Sequence, residues 1–338
     1  MATTSSRSEG WDTALDAQTD LLRSFGTVEG RDYLNGFVKA LERAGAYNGE
    51  GVLEHPDGAA EALVGAATGG LPSCDPFYVS GDLAELIDWA ADSFQPEPLI
   101  ATDLIVPGGF AYFSKPIFLK DTHRLQMPIR AIQWNAAFEH DSTGGTGPAI
   151  RFEQDEGQPI GGVILTFYSH RADGDPGGDR STYPDMRIGG SDLAMEYVTL
   201  LRFGEMHDAF NDDESLRDVL THVKVFFRLC QQTIAVPRRE RVPRPVWKRA
   251  RATWKDIREV VVFTLRRAKP SQYEGEEREV EWNHRWMVSG HWRNQPYVER
   301  DDQGNKRTVY RQIWIAPYIK GPDGKPLILK RRAFELVR

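Results

Sequence analysis

FAYFSKPIFL (110–119), IRAIQWNAAF (129–138) and GGVILTFYSH (161–170) are three short runs rich in Ile, Val, Phe and Tyr, separated by Gly, Pro and Asp clusters. Runs of this length, bounded by turn formers, read as β-strands. They predict a small antiparallel sheet in the middle of the chain. The separators DSTGGTGPA (141–149) and ADGDPGGDR (172–180) lack the GK[ST] of a phosphate loop and the acidic twelfth position of a calcium loop, so they read as surface loops.

On the N-terminal side, WDTALDAQTDLLRSF (11–25) and DYLNGFVKALERAG (32–45) place Leu15, Leu22 and Phe25, then Leu34, Phe37, Val38 and Leu41, at helical spacing, with Gly26 and Gly45 as stops. Further helices are expected near 58–67 and over 81–93, which makes the first hundred residues mainly helical. On the C-terminal side, helices are expected near 191–207 and 214–234. The second buries Leu216, Val219, Val223, Phe226, Phe227 and Cys230, with Lys224 and Arg228 elsewhere on the wheel. VPRRERVPRPV (236–246) cannot continue a helix and reads as an extended basic linker.

The expected class is α+β. Residues 1–235 form an acidic scaffold of helices and a small sheet, 236–246 the linker, and 247–338 a basic, Trp-rich antiparallel β domain. With 338 residues, 40% of them hydrophobic, 27% charged and only two Cys, the chain is neither disordered, collagenous nor a disulfide scaffold. It contains no run of the roughly 18 to 20 apolar residues that spans a bilayer, and MATTSSRSEG lacks a secretory apolar core, so a cytoplasmic location and no membrane partner are expected.

Charge is distributed unevenly. Residues 236–338 hold 25 Lys+Arg against 13 Asp+Glu, a net +12, and the rest of the chain carries −19. Six of the nine Trp also lie in that basic third. Such a split points to a face for a polyanion, to docking on an acidic protein or on the chain's own acidic part, or to both.

Within the basic third, PVWKRARATW (245–254) reads as an amphipathic helix, Trp247 and Trp254 on one face and Lys248, Arg249 and Arg251 around them. VEWNHRWMVSGHWR (280–293) alternates with period two: Trp282, His284, Trp286 and Trp292 share a face, and Arg285, His291 and Arg293 share the other. Gly290 allows a bulge. RTVYRQIWIAPYI (307–319) is expected to pair with it in a long hairpin, with AFELVR (333–338) closing the sheet.

These residues define the candidate site. Arg285, Arg293, Arg311, Lys248, Arg249 and Arg251 would supply phosphate contacts, and His291 and Trp292 hydrogen bonding and stacking. Trp292 reads equally as core. Arg285, Arg293 or Arg311 beside His291 permit a second reading, a metal-independent ribonuclease with His291 as general acid or base. A third is a protein-interaction module with no nucleic-acid role. No metal site or cofactor is expected: HExxH, CxxC, Walker and dinucleotide patterns are all missing from the sequence.

HRWMVSGHWRNQPY (284–297) followed by YRQIWIAPYIKGP (310–322) resembles the C-terminal signature of a family of phage, plasmid and bacterial proteins that includes a type V anti-CRISPR protein. The matching positions are Gly290, His291 and Trp292, then Arg311, Trp314 and Pro317. Upstream the resemblance is one of outline: a helical start, a strand after IVPGGFAYF, and a long apolar helix. It implies a mobile-element regulator that inhibits effector production, recognising the effector's nascent peptide at the ribosome and promoting loss of its mRNA.

Overall fold

In the computed structural model, the residues described are 10–44, 59–95, 97–120, 126–137, 161–170, 173, 191–204, 214–254, 257–265, 285–288, 290–300, 306–315, 318–320 and 327–328. They form two compact units, Met1–Ala91 with Gln95–Leu265, and Asp92–Phe94 with Arg266–Arg338.

The first unit is mixed α/β. Its elements in chain order are α1 (Thr13–Phe25), α2 (Val28–Ala44), α3 (Ala59–Gly70), β1 (Asp75–Val79), α4 (Gly81–Ala91), β2 (Gly108–Lys120), β3 (Gln126–Ala137), β4 (Gly162–His170), β5 (Leu193–Arg202), α5 (Glu214–Cys230), β6 (Ala235–Glu240), α6 (Arg244–Arg251) and β7 (Val260–Leu265). Seven strands make one sheet in the order β5-β4-β3-β2-β1-β7-β6. β1 is parallel to both β2 and β7, and the other pairs are antiparallel. A parallel neighbour needs a crossover, which α4 provides between β1 and β2.

Helices cover both faces. Leu15 and Leu21 of α1, Phe37 of α2, Val64 of α3 and Val246 of α6 pack with Phe110, Tyr112 and Tyr168 of the sheet. On the opposite side Phe226 and Phe227 of α5 meet the Trp134 ring at 5.9 and 5.2 Å, and Phe226 meets Phe113 at 5.5 Å. Trp134 is fully buried and donates its indole N–H to the Val106 carbonyl at 2.8 Å. Its ring lies so close over Gly109 that a Cβ there would sit 2.2 Å from it, which requires glycine.

α5 also buries a charge. Lys224, expected off the apolar face, is 3% exposed, paired with the buried Asp103 and donating to the Pro98 carbonyl at 2.5 Å. Arg228 joins at 3.1 Å from Glu97. Burial pulls the Lys224 ammonium below its ordinary pKa, against the opposing effect of Asp103. The cluster ties the segment leading to β2 onto α5.

Four expectations are corrected here. The helix expected near 191–207 is replaced, over the described residues 191–204, by a strand: Leu193–Arg202 is the edge strand β5. Its register on β4 slips between Phe167 and Tyr168, so burial passes from Leu193 and Met195 to Val198 and Leu200, and one extra residue turns a spacing of two into a helix-like three. The Pro/Arg stretch is no linker, because Ala235–Glu240 pairs antiparallel with β7 as the other edge of the sheet. Only Ala235 of that strand is buried, and an edge position tolerates Pro237 and solvates Arg238 and Arg239. The boundary therefore falls after Leu265 instead of at 235, and the expected small sheet of three strands has seven because β1, β5, β6 and β7 join it.

The second unit contains β8 (Arg285–Val288), β9 (His291–Arg300), β10 (Lys306–Ile315), β11 (Tyr318–Lys320) and β12 (Leu327–Ile328). β9 and β10 form an antiparallel hairpin; β8 pairs antiparallel with β11 and parallel with β12. One register runs through both pairs, with Ile315 opposite His291 and Tyr318 opposite Val288. The long hairpin expected from sequence is thus interrupted around Gly290 but stays in step. The expected strand AFELVR, the loops at 141–149 and 174–180, Trp282, His284 and Pro317 lie outside the described residues.

Candidate nucleic-acid interface

The β9–β10 hairpin has two chemically different faces, because neighbouring residues of a strand point to opposite sides. Trp292 stands opposite Trp314, and Asn294, Pro296 and Val298 follow it, facing Gln312, Tyr310 and Thr308. His291, Arg293, Gln295 and Tyr297 occupy the other side, facing Ile315, Ile313, Arg311 and Val309.

The first face is anchored at one end. The Trp292 ring meets Trp314 at 5.4 Å and Phe94 at 5.0 Å, both edge-on, and Phe94, Gln312 and Trp314 are buried. Trp292 is half-buried among aromatic neighbours, so it builds the core of this unit. Towards the turn the same face opens to solvent, with Val298 and Tyr310 each 68% exposed.

The second face carries the cations. His291, Arg293, Arg307 and Arg311 are all exposed. Arg293 donates to the Gln295 side chain at 2.6 Å, and the Arg311 guanidinium lies over the Tyr297 ring, 5.6 Å from its centroid. Arg311 is opposite Gln295, so this is a diagonal cross-strand contact. It orders a long, mobile cation against an aromatic ring while leaving both at the surface. Arg307 stands opposite position 299, nearest the turn.

His291 and the arginines are placed along this face and not around one point. Two residues of strand advance about 6.8 Å, so Arg293 lies one such step from His291, and Arg311, level with residue 295, about two. Among the described residues, His291 stands exposed at the base of this line of side chains. Of Arg285 the structure describes the position on β8.

Lys248, Arg249 and Arg251 belong to the first unit, on α6. Val246 and Ala250 are the residues this helix buries, Trp254 packs partly buried on the core, and Trp247 stays 36% exposed with Arg251 stacked 4.8 Å from its centroid. Arg249 pairs with Asp16 of α1, and Arg23 donates to the Arg249 carbonyl at 3.0 Å and to Thr253 at 2.9 Å. Arg249 therefore helps dock α6 on α1 while Lys248 and Arg251 are exposed, and the expected pairing of Trp247 with Trp254 on one face is replaced by Val246, Ala250 and Trp254.

The residues missed in the sequence are Tyr297 and Arg307. Residues 293–307 carry Asn, Pro, Asp and Gly and read as a loop, yet β9 continues to Arg300 and β10 begins at Lys306. Each strand of a two-stranded hairpin is an edge, which tolerates Pro296. The signal available was the continued alternation of Arg293, Gln295 and Tyr297 past the tryptophans.

Among the described residues, no cluster of three or more His, Cys, Asp or Glu is placed to hold a metal, and no helix is long and apolar enough to cross a membrane. No family model matches the chain, and no curated protein does. Among solved structures the chain is similar to that in the crystal structure of AcrVA2, at 12% identity with a TM-score of 0.37, covering 92% of this chain and 96% of that one. At that level no activity is transferred.

Proposed function

We propose that the protein is a mobile-element regulator that binds RNA, free or on translating ribosomes, through the cationic face of the β9–β10 hairpin. By the resemblance of its GHW and RxxWxxP positions, it acts as an anti-CRISPR-type inhibitor of effector biogenesis that promotes loss of the effector mRNA. The observation that carries the RNA-binding reading is the line of exposed Arg293, Arg311 and Arg307 around Tyr297 on one side of a hairpin whose other side holds the tryptophan anchor. Exposed arginines along one face suit phosphates, which give salt-dependent affinity without sequence preference.

The test is binding of the full chain to labelled RNA and to translating ribosomes over a salt series, beside Arg293→Ala/Arg307→Ala/Arg311→Ala. Binding is expected to weaken steeply with salt and to vanish in the triple variant. RNA binding that survives the triple substitution overturns the assignment to this face. No binding to RNA or ribosomes, with salt-sensitive capture of an acidic protein by the same arginines, overturns the RNA reading in favour of a protein-interaction module.

A further inference from the structure

The tryptophans are the obvious stacking residues of the basic third, but the hairpin turns Trp292 and Trp314 away from the arginines and uses their rings on each other and on Phe94. The aromatic side chain on the cationic face is Tyr297. It is 41% exposed, flanked along β9 by Gln295, with the Arg311 guanidinium lying over its ring.

The exposed ring narrows the ligand further. In a duplex each base is already stacked between its neighbours and paired, so a ring at the protein surface takes a base only where the strand is unpaired and its bases are splayed out. That is the state in which single-stranded RNA is read on protein sheets, with bases lifted onto aromatic rings and guanidinium planes.

We infer that the ligand of this face is a short stretch of single-stranded RNA lying along the hairpin, with one base stacked on Tyr297 and backed by Arg311. Arg293 takes a phosphate on one side of that base. Arg307 is a further phosphate contact towards the turn. Gln295, between Arg293 and Tyr297, offers an amide to a base edge. The inference rests on the RNA-binding reading above and adds the strandedness of the ligand and the residue that holds the base.

The test uses the full chain with a labelled ten-nucleotide adenosine oligomer and a duplex RNA of the same length, comparing the unaltered protein with Tyr297→Ala, Tyr297→Phe and the triple arginine variant. Single-stranded RNA is expected to bind more tightly than duplex. Tyr297→Ala should weaken it roughly 5- to 150-fold, the range for loss of one stacked base. Tyr297→Phe keeps the ring and should bind as the unaltered protein does, which separates stacking from misfolding. The logarithm of affinity should fall with the logarithm of salt at a slope of about −1.5 to −2, as for two to three phosphates on a single strand. Tyr297→Ala should leave that slope unchanged, and the triple variant should flatten it. Equal binding of duplex and single strand, or full affinity in Tyr297→Ala, overturns this inference while leaving the arginine face as an RNA site if the triple variant fails to bind. Absence of binding to either RNA overturns both.

Discussion

β4 and β9 are strands of nearly equal length, nine and ten residues, placed in opposite solvents. Every residue of β4 but His170 is buried. It lies inside the sheet, with helices on both faces, so each position must be apolar or find a partner, as Tyr168 does by donating to Gln133 at 2.7 Å. β9 is covered only around Trp292, and beyond that point its alternation separates two exposed surfaces of different chemistry. Strand geometry is the same in both. In the first unit it fills a core, and in the second it sorts side chains by task.

The comparison breaks first where the interior holds a charge. Lys224→Ala leaves Asp103 buried with Arg228 3.5 Å away as its remaining cation, and the loss should be about 3 to 5 kcal/mol of unfolding free energy in a denaturant titration. Replacing both partners by apolar residues, Lys224→Met with Asp103→Leu, should recover part of it. A loss near zero for Lys224→Ala would mean that the interior of this unit admits water as the hairpin surface does.

A smaller effect is expected where the hairpin is anchored. Trp292→Ala should cost about 2 kcal/mol, below the roughly 3 to 5 kcal/mol of a fully buried Trp, since Trp292 is half-buried. Hydrogen exchange should show the loss in β9 and β10 and leave β4 protected. If β4 loses protection to the same extent, the two units do not unfold separately.

The smallest effect is at the thiols. Burial pushes Cys74 from its ordinary 9.0 up to about 12 and raises Cys230 as well. Both should stay unalkylated by iodoacetamide at pH 8 in the folded protein, and react once it unfolds. An unfolded thiol ionises near 9 and the folded Cys74 near 12, so folding stability is whole below about 9 and falls as pH rises between those values. Rapid labelling of the native chain at pH 8 would contradict the packing described for this core.

Much of the first unit was legible because its helices and central strands follow one period each. The spacing at 11–25 and 81–93 and the runs at 110–119 and 161–170 all produce the elements they predict. β5 was hidden by its register slip, and β1 by its five-residue length between a proline-containing turn and a helix. β6 was hidden because an exposed edge strand has the composition of a linker. For the candidate site, sequence alternation placed His291 and Arg293 opposite Trp292, as in the structure. The alternation runs on through Gln295 and Tyr297, but Pro296 and the Asp and Gly that follow have the composition of a turn, and so Tyr297 was missed. Cross-strand neighbours such as Arg311 and Tyr297, which touch diagonally, depend on a register that the turn sets and that composition does not encode.

The register shared by β8–β11 and β9–β10 has one more consequence. It makes the junction at Gly290 a counter: whether a β9 position is odd or even decides whether it faces the arginines or the aromatic anchor. Removing one residue there, with the pairing of β9 and β10 held by their own turn, would put the whole hairpin half a cycle out of phase with its base. Arg293 would then swing towards Phe94 and the tryptophans towards water. The length of that junction thus carries information that no side chain within it needs to supply.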